Sequence, residues 1–397
     1  MQMLSTKLRA VEESQTLLLA AKAKRMKDAG VDVANLTAGE PDFPTPRHVK
    51  EAAIKAIEAN FTKYTPNTGT PELIDAIIHK FSHENGLQFE RDQIVVSSGA
   101  KQSIFNILQA ICNKGDEVVL FSPYWVSYPE MIKLADAVPV IVPTRIEEHF
   151  RPNIRKLRQA INVKTKALIL NSPSNPTGVA YTRSEFEEIA EVVRQTGIFV
   201  ISDEIYEKVI YDGARGFSIG SLKSIRDMVV TVNGVSKAYA MTGWRIGYAG
   251  GPRAVMDAAA KVQSQVTSAP NSIAQKATLA ALTGSFRDTL AMVEEFQRRR
   301  DFVYSALTRI PHVGVTLPDG AFYFFFDVSS YHGRSFKGKH IRNSADMGSY
   351  LLDEHHLATV PGVAFGNDRC LRISYACSMT ELEKGMQRLA RGLAALD

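Results

Sequence analysis

The chain alternates between two hydrophobic periods. Short apolar runs rich in β-branched residues recur at 94–97, 117–121, 167–170, 198–202 and 228–232, with helical-period segments between most of them. Runs that are apolar at nearly every position suit strands buried on both faces. The pattern therefore predicts an α/β fold whose mostly parallel sheet lies between helices. One crossover is legible in detail. After Ser98 and Gly99, the residues Ile104, Phe105, Leu108 and Ile111 fall at helical spacing, and Gly115 closes the segment. A strand thus feeds directly into a helix N-terminus. Residues 14–29 predict another helix, ended by Gly30, followed by a Gly- and Pro-dense loop from Asn35 to Pro46. Beyond about residue 280 come a long charged helical stretch, an aromatic strand at 322–326 and an amphipathic helix carrying Leu382, Met386, Leu389 and Leu393. This change of style predicts a second, smaller α+β domain, with which the N-terminal helix is expected to pack.

A length of 397 residues allows that division, because domains run to roughly 150 residues each. The formal charge of +5, with 22% charged and 45% hydrophobic residues, implies neither nucleic acid nor a membrane surface. Arg298, Arg299 and Arg300 cluster in a helical pattern and are expected to form a solvated face. Cys112, Cys370 and Cys377 are an odd count without C-x-x-C spacing, which supports neither a disulfide framework nor a zinc site and fits a reducing compartment. No apolar run reaches the roughly 20 residues of a membrane span, and the run at 17–21 is shorter than a signal-peptide core, so a cytoplasmic location is expected. The nine histidines are scattered, with no H-x-x-x-H or H-E-x-x-H, so no metal is assigned. Neither G-x-x-x-x-G-K-[ST] nor G-x-G-x-x-G occurs, which argues against a nucleotide-binding protein.

The segment that carries chemistry is Ser236-Lys237-Ala238-Tyr239-Ala240-Met241-Thr242-Gly243-Trp244-Arg245, just past a predicted strand. A lysine there projects toward the crevice where α/β sheets bind ligands. Ser236 beside it and Arg245 eight residues on both suit a phosphate.

With this segment the chain resembles the class I and II aminotransferases among fold type I pyridoxal-phosphate enzymes, above all the thermophile-type bacterial aspartate aminotransferases. The likeness spans essentially the whole chain. It includes Leu36-Thr37-Ala38-Gly39-Glu40-Pro41-Asp42-Phe43, Ser122-Pro123-Tyr124-Trp125-Val126-Ser127-Tyr128-Pro129, Asn171-Ser172-Pro173-Ser174-Asn175-Pro176-Thr177-Gly178, Ser202-Asp203-Glu204-Ile205-Tyr206 and Leu371-Arg372-Ile373-Ser374-Tyr375. The resemblance implies a large domain over 46–280 built on a seven-stranded sheet, and a discontinuous small domain of 1–45 with 281–397.

It also implies residue roles. Lys237 would carry pyridoxal 5'-phosphate as a Schiff base and then shuttle a proton. Asp203 would keep the pyridine nitrogen protonated, while Asn175 and Tyr206 would hydrogen-bond the ring's phenolic oxygen. Gly99, Ala100 and Lys101 at a helix start, with Ser236 and Arg245, would cradle the phosphate. Tyr64 would reach the phosphate from a neighbouring subunit, which makes a homodimer an expectation. Trp125 would stack on the ring, and Ser122-Pro123 and Asn175-Pro176 match cis positions. Arg372, helped by Gly39 and Asn175, would grip the substrate α-carboxylate. One departure is visible, since Gly234 stands three before the lysine where relatives often carry serine.

For the substrate, Lys101 matches a lysine that reaches the distal carboxylate of aspartate or glutamate, the alternative being a lysine drawn only to phosphate. Some relatives also use prephenate and tend to carry a lysine-proline pair where this chain has Glu12 and Glu13; reversing the charge there disfavours that substrate, although Ser14 and Thr16 fit the pattern. Aromatic, alanine-type or kynurenine transamination are alternatives within the fold. A ligand-sensing domain attached to a DNA-binding module is disfavoured, because the aminotransferase-like sequence begins almost at the first residue.

Overall fold

The computed structural model describes residues 5–11, 15–214 and 216–397. Glu12, Glu13 and Ser14, which bear on the prephenate expectation, lie outside these residues, as does the side chain of Thr16. Helix α1, predicted over 14–29, spans Gln15–Asp28. Its Ala23 packs with Val33, Leu352 and Ala358, and Lys22 pairs with Asp353 at 2.8 Å, so the chain start lies against the C-terminal part.

Seven strands form the main sheet: β1 Ile94–Ser97, β2 Glu117–Ser122, β3 Val138–Pro143, β4 Thr165–Asn171, β5 Phe199–Asp203, β6 Val229–Gly234 and β7 Gly247–Gly250. Their order is β1-β7-β6-β5-β4-β2-β3. Only β7 runs against its neighbours. The five predicted strands are all present. Val118 and Leu120 of β2 join one buried cluster, and Val119 and Phe121 join another on the opposite face. Burial of both faces explains why these strands show no apolar–polar alternation.

The two strands missing from the sequence reading lack that signature for physical reasons. β3 is an edge strand containing Pro139 and Pro143 and is partly exposed, as proline requires of a strand with no further partner. β7 reads Gly-Tyr-Ala-Gly, too small and short to register as an apolar run. Its glycine is structural. A Cβ on Gly247 would collide with the backbone of Gly99 and Ala100, where helix α2, Ala100–Ile111, begins. Gly247 therefore lets the start of α2 press against the sheet.

Past the sheet comes helix α3, Arg287–Leu307, and then a three-stranded antiparallel sheet of β8 Tyr323–Asp327, β9 Val360–Pro361 and β10 Cys370–Ser374, with β10 central. Helix α4, Met379–Ala394, closes the chain and buries Leu382, Met386, Leu389 and Leu393 as its spacing predicts. The architecture is thus the expected α/β sheet between helices with a smaller sheet layer beside it. No helix among the described residues is long and apolar enough to cross a membrane.

The arginine cluster departs from expectation. Arg298 is exposed, but Arg299 and Arg300 are buried at 6% and 2% exposure. Consecutive helical residues point about 100° apart, so a run of three charges cannot share one face. Arg299 pairs with Asp42 at 2.7 Å and Glu295 at 2.8 Å, and Arg300 grips Asp212 through two nitrogens at 2.7 and 2.9 Å. Ser122-Pro123 and Asn175-Pro176 are cis as expected, and Ser172-Pro173 is a third.

Gly247→Ala should cost about 1–3 kcal/mol, because the backbone it strikes cannot rotate away. A thermal midpoint unchanged from that of the parent protein would show that the helix start has slack against the sheet.

Candidate active site

The carboxyl ends of β1, β2, β4, β5 and β6 open on one cavity of about 650 Å³. Each strand releases its chain there with a polar payload. Ala100 and Lys101 follow β1, Trp125 and Tyr128 follow β2, and Asn171 and Asn175 come from the end of β4. Asp203 ends β5 with Tyr206 just beyond, and Ser236 and Lys237 follow β6. The opposite wall is Asn35 to Glu40 with Tyr323 of β8 and Arg372 of β10. Crevices beyond strand carboxyl ends are where open α/β sheets bind ligands.

Lys237 is half-buried, and its Nζ donates to the Gly39 carbonyl at 2.5 Å and lies 5.8 Å from the ring centres of Tyr206 and Phe322. Burial pulls its pKa down to about 8; Glu40 and Asp203 oppose that shift, while Arg245 and Arg372 add to it. An amine so placed is in part unprotonated near neutrality, which makes it a nucleophile and a base. The loop facing it is tied to the lysine segment by Thr242 donating to Glu40 at 2.6 Å and by Thr45 donating to the Ala240 carbonyl at 2.8 Å.

Asp203 is buried, and burial pushes its carboxyl up to about 6. The Tyr128 hydroxyl donates to its Oδ2 at 2.6 Å and the Ile205 N–H to its Oδ1 at 3.2 Å, both holding the carboxyl lower than burial alone would. No basic side chain forms an ion pair with it among the described residues. A desolvated carboxylate in this state favours a cationic partner.

Two guanidiniums show the complementary condition. Arg372 is buried at 3% exposure, gives one nitrogen to Asn175 Oδ1 at 3.1 Å and another to the Thr37 carbonyl at 2.9 Å, and leaves Nε without a partner. Burial draws its pKa down, and its guanidinium lies 4.6 Å from the Tyr323 ring. Among the described residues Arg245 donates only to the carbonyls of Thr242 and Ser98, at 3.0 and 3.3 Å. A Cβ on Gly99 would strike that guanidinium, so glycine keeps the space between Arg245 and the helix start open, and no side chain caps α2 there. Lys101 Nζ sits 4.8 Å from the Trp125 ring, its pKa lowered first by burial and then by Arg245. Four basic groups, Lys101, Lys237, Arg245 and Arg372, thus face two acids, Glu40 and Asp203. The cavity is built for a ligand bearing several negative charges.

Of the residues singled out in the sequence, Gly39, Ala100, Lys101, Trp125, Asn175, Asp203, Tyr206, Ser236, Lys237, Arg245 and Arg372 line this one cavity. Gly99 stands at its edge through Arg245. Tyr64 does not line it and is 99% exposed. Gly234 sits in a tight place for the serine common elsewhere, since a Cβ there would lie 3.0 Å from Gly247 Cα and from the Ile246 carbonyl oxygen, and that backbone would have to give. No group of three or more metal-ligating side chains occurs among the described residues.

Sequence reasoning missed Tyr128, Asn171 and Tyr323. Tyr128 was findable, because it lies one helical turn after Trp125 and their rings meet edge-on at 5.3 Å. Asn171 accepts from the Asn175 N–H at 2.8 Å and donates to the Asp203 carbonyl at 3.0 Å, bracing both. Tyr323, read only as part of an aromatic strand, shares a 2.9 Å hydrogen bond with Tyr206. Nothing in an unbroken aromatic run marks which ring faces a cavity.

An α/β fold whose strand ends gather a desolvated lysine, a buried acid and two arginines that have no carboxylate partner among the described residues defines a group-transfer enzyme acting on small anions. Residues 31–389 match the family model for aminotransferase class I and II. The chain is 48% identical, over 99% of its length and 83% of the relative's, to the bifunctional aspartate aminotransferase and glutamate/aspartate-prephenate aminotransferase of Petunia hybrida. Its fold matches the crystal structure of the aspartate aminotransferase from Rhizobium meliloti with a TM-score of 0.96 at 43% identity, covering 99% of each chain. It matches Thermus thermophilus aspartate aminotransferase with maleate at 0.92 and 44%, covering 99% of this chain and 100% of that one. The chain belongs to the class I and II aminotransferases.

Tyr128→Phe removes the side-chain donor of Asp203, so the Asp203 carboxyl rises and its negative charge is lost at a higher pH. The acid limb of kcat/KM should move upward in pH and the plateau should drop about tenfold. An acid limb that stays in place would show that Tyr128 does not set this carboxyl.

Proposed function

We propose that this pocket holds pyridoxal 5'-phosphate and moves an amino group between aspartate or glutamate and 2-oxoglutarate or oxaloacetate in two half-reactions of ping-pong type. The reaction class is aspartate transamination, in keeping with aspartate aminotransferase relatives at 43–44% identity across nearly the whole chain. The observation that carries the substrate is the presence of two cations, Arg372 and Lys101, with no carboxylate partner among the described residues, in the cavity that contains Lys237. A dicarboxylic amino acid offers one carboxylate to each. The Thermus relative was solved with maleate, itself a dicarboxylate.

The donor set fits the cofactor. Arg245, Ser236, the open space at Gly99 and the uncapped start of α2 match a phosphate. Asp203 matches a protonated ring nitrogen, and Trp125 offers a stacking face. When bound, the cofactor supplies an aldehyde for an amine and a ring that draws electrons from the substrate Cα.

The chain's own groups do the rest. Asp203 would hold a proton on the ring nitrogen, and Asn175 and Tyr206 would donate to the phenolic oxygen. Arg372 holds the α-carboxylate with help from Asn175 and Gly39, while Lys101 takes the distal one. The Lys237 amine would be the base that takes and returns the substrate Cα proton. Placing the base beside the carbon it deprotonates is an orientation effect, which the Gly39 contact and the ring walls maintain.

Tyr64, exposed to solvent in the single chain, serves the phosphate site of a second copy, so the working unit is a homodimer. Residues 46–280 act as the large cofactor-bearing domain, and 1–45 with 281–397 as the small one that brings Arg372 and Gly39 to it. The relative from Petunia hybrida is named as a glutamate/aspartate-prephenate aminotransferase as well as an aspartate aminotransferase, which keeps prephenate as the alternative substrate.

Lys237→Ala should abolish transamination, read by coupled assay. Lys101→Ala should lower kcat/KM for aspartate roughly 10- to 100-fold more than for an apolar amino acid. Equal losses for both would assign Lys101 to the phosphate. A linkage measurement tests Asp203. Its folded pKa stands above its unfolded value of about 3.9, so its stabilising effect is present below that value and lost as pH rises through about 6. A cationic partner relieves that loss, so added cofactor should raise the thermal midpoint more near pH 8 than near pH 5. Equal increments would mean that Asp203 faces no positive charge.

A further inference from the structure

Glu204 follows Asp203 in the strand-end motif and takes no part in the pocket, yet it is 3% exposed. Its carboxyl joins three separate parts of the chain. Ser202 and Ser218 donate to Oε1 at 2.9 and 2.7 Å, and Asn85 donates to Oε2 at 3.2 Å. Asn85 ends a wide π-type turn, Phe81–Asn85, closed by Gly86 in the left-handed region at φ 69°. The same Asn85 also donates to Glu207 at 2.6 Å and accepts from Lys80 at 2.8 Å.

Around Glu204 the charged groups are Glu207 and Lys208 on its own segment, Lys80 at the end of the helix that leads into the π-type turn, and Glu84 within that turn. The Tyr239 and Tyr248 phenols lie close enough to feel Glu84 and Glu207. Lys80 pairs with Glu207 and Lys208 pairs with Glu84 at 2.7 Å, so both ammonium groups are taken. Three carboxyls share two cations, and Glu204 is the one left with only neutral donors. Hydroxyls can accept as well as donate, so Ser202 and Ser218 satisfy a protonated carboxyl as readily as an ionised one.

We propose that Glu204 is a positioning residue, an uncharged acid that anchors from behind the turn presenting Asp203 and Tyr206 to the cavity. It rests on the roles given above to Asp203 and Tyr206. On its cavity side the turn is tied by Tyr128 and Asn171 to Asp203 and by Tyr323 to Tyr206, and the Glu204 N–H donates to the Val232 carbonyl at 2.9 Å; the Glu204 carboxyl adds the ties to Ser218 and Asn85 on the far side. Burial, with Glu207 adding to it, pushes the Glu204 carboxyl up to about 8, which agrees with a retained proton.

The test compares Glu204→Gln, Glu204→Ala and the parent in the cofactor-loaded protein. Because the folded pKa lies above the unfolded one, the stability supplied by Glu204 is lost as pH rises through about 8. The thermal midpoint of Glu204→Gln should therefore gain on that of the parent between about pH 6 and about pH 9, and its kcat at neutral pH should stay within about threefold. Glu204→Ala should lose at least about tenfold in kcat while KM for aspartate changes little, since Arg372 and Lys101 are untouched. If the alanine variant does not fold, Ser218→Ala should show the same kcat-selective loss at smaller size. Parallel midpoints for the glutamine variant and parent would overturn the uncharged acid, and full kcat in the alanine or Ser218 variant would overturn the anchoring. The midpoint comparison does not depend on the catalytic role of Asp203, whose own failure would appear as an active Asp203→Ala.

Discussion

Burial of Asp203 at the end of β5 is the constraint on which the rest of the site depends. A carboxyl removed from water favours its neutral form unless a cation or strong donors meet it. Here the donors are Tyr128 and the Ile205 N–H, and they only partly offset burial. The same low-dielectric setting pulls Lys237 down toward neutrality. One cavity therefore carries an acid and an amine displaced toward each other, which is the arrangement that proton traffic near neutral pH requires. The strain is electrostatic, and a cationic group bound against the acid would relieve it.

The fold makes that burial affordable by ending several parallel strands at one level. Their carboxyl ends deliver short polar segments that need no long loops, and the helices on both faces exclude water from behind. The glycine at 247 shows how tight the arrangement is, since the start of α2 leaves no space for a methyl group there. The small sheet supplies what the large one lacks, a buried guanidinium on β10 facing the strand ends.

Much of this was legible in the sequence, and the exceptions have physical causes. The five doubly buried strands announced themselves as continuous apolar runs, and Lys237, Asp203, Asn175 and Arg372 sat in motifs whose order and spacing survive into one cavity. β3 and β7 escaped because proline at an edge and glycine at a crowded crossing carry no hydrophobic signal. Arg299 and Arg300 were misread because charge alone does not reveal that a long helix turns two of three adjacent side chains inward, where Asp42 and Asp212 meet them. Tyr323 and Glu204 were invisible for a different reason: each acts through a partner distant in sequence, Tyr206 in one case and Asn85 with Ser218 in the other.

The central claim is that the Lys237 amine is the group that reacts with the cofactor's aldehyde. Borohydride reduction of the cofactor-loaded protein, followed by peptide mass spectrometry, tests it directly. The account predicts a pyridoxyl-phosphate mass addition on the peptide containing Lys237, and its disappearance when aspartate is added before the reductant. Addition at Lys101 or any other lysine, or no addition to a protein that has bound the cofactor, would contradict it.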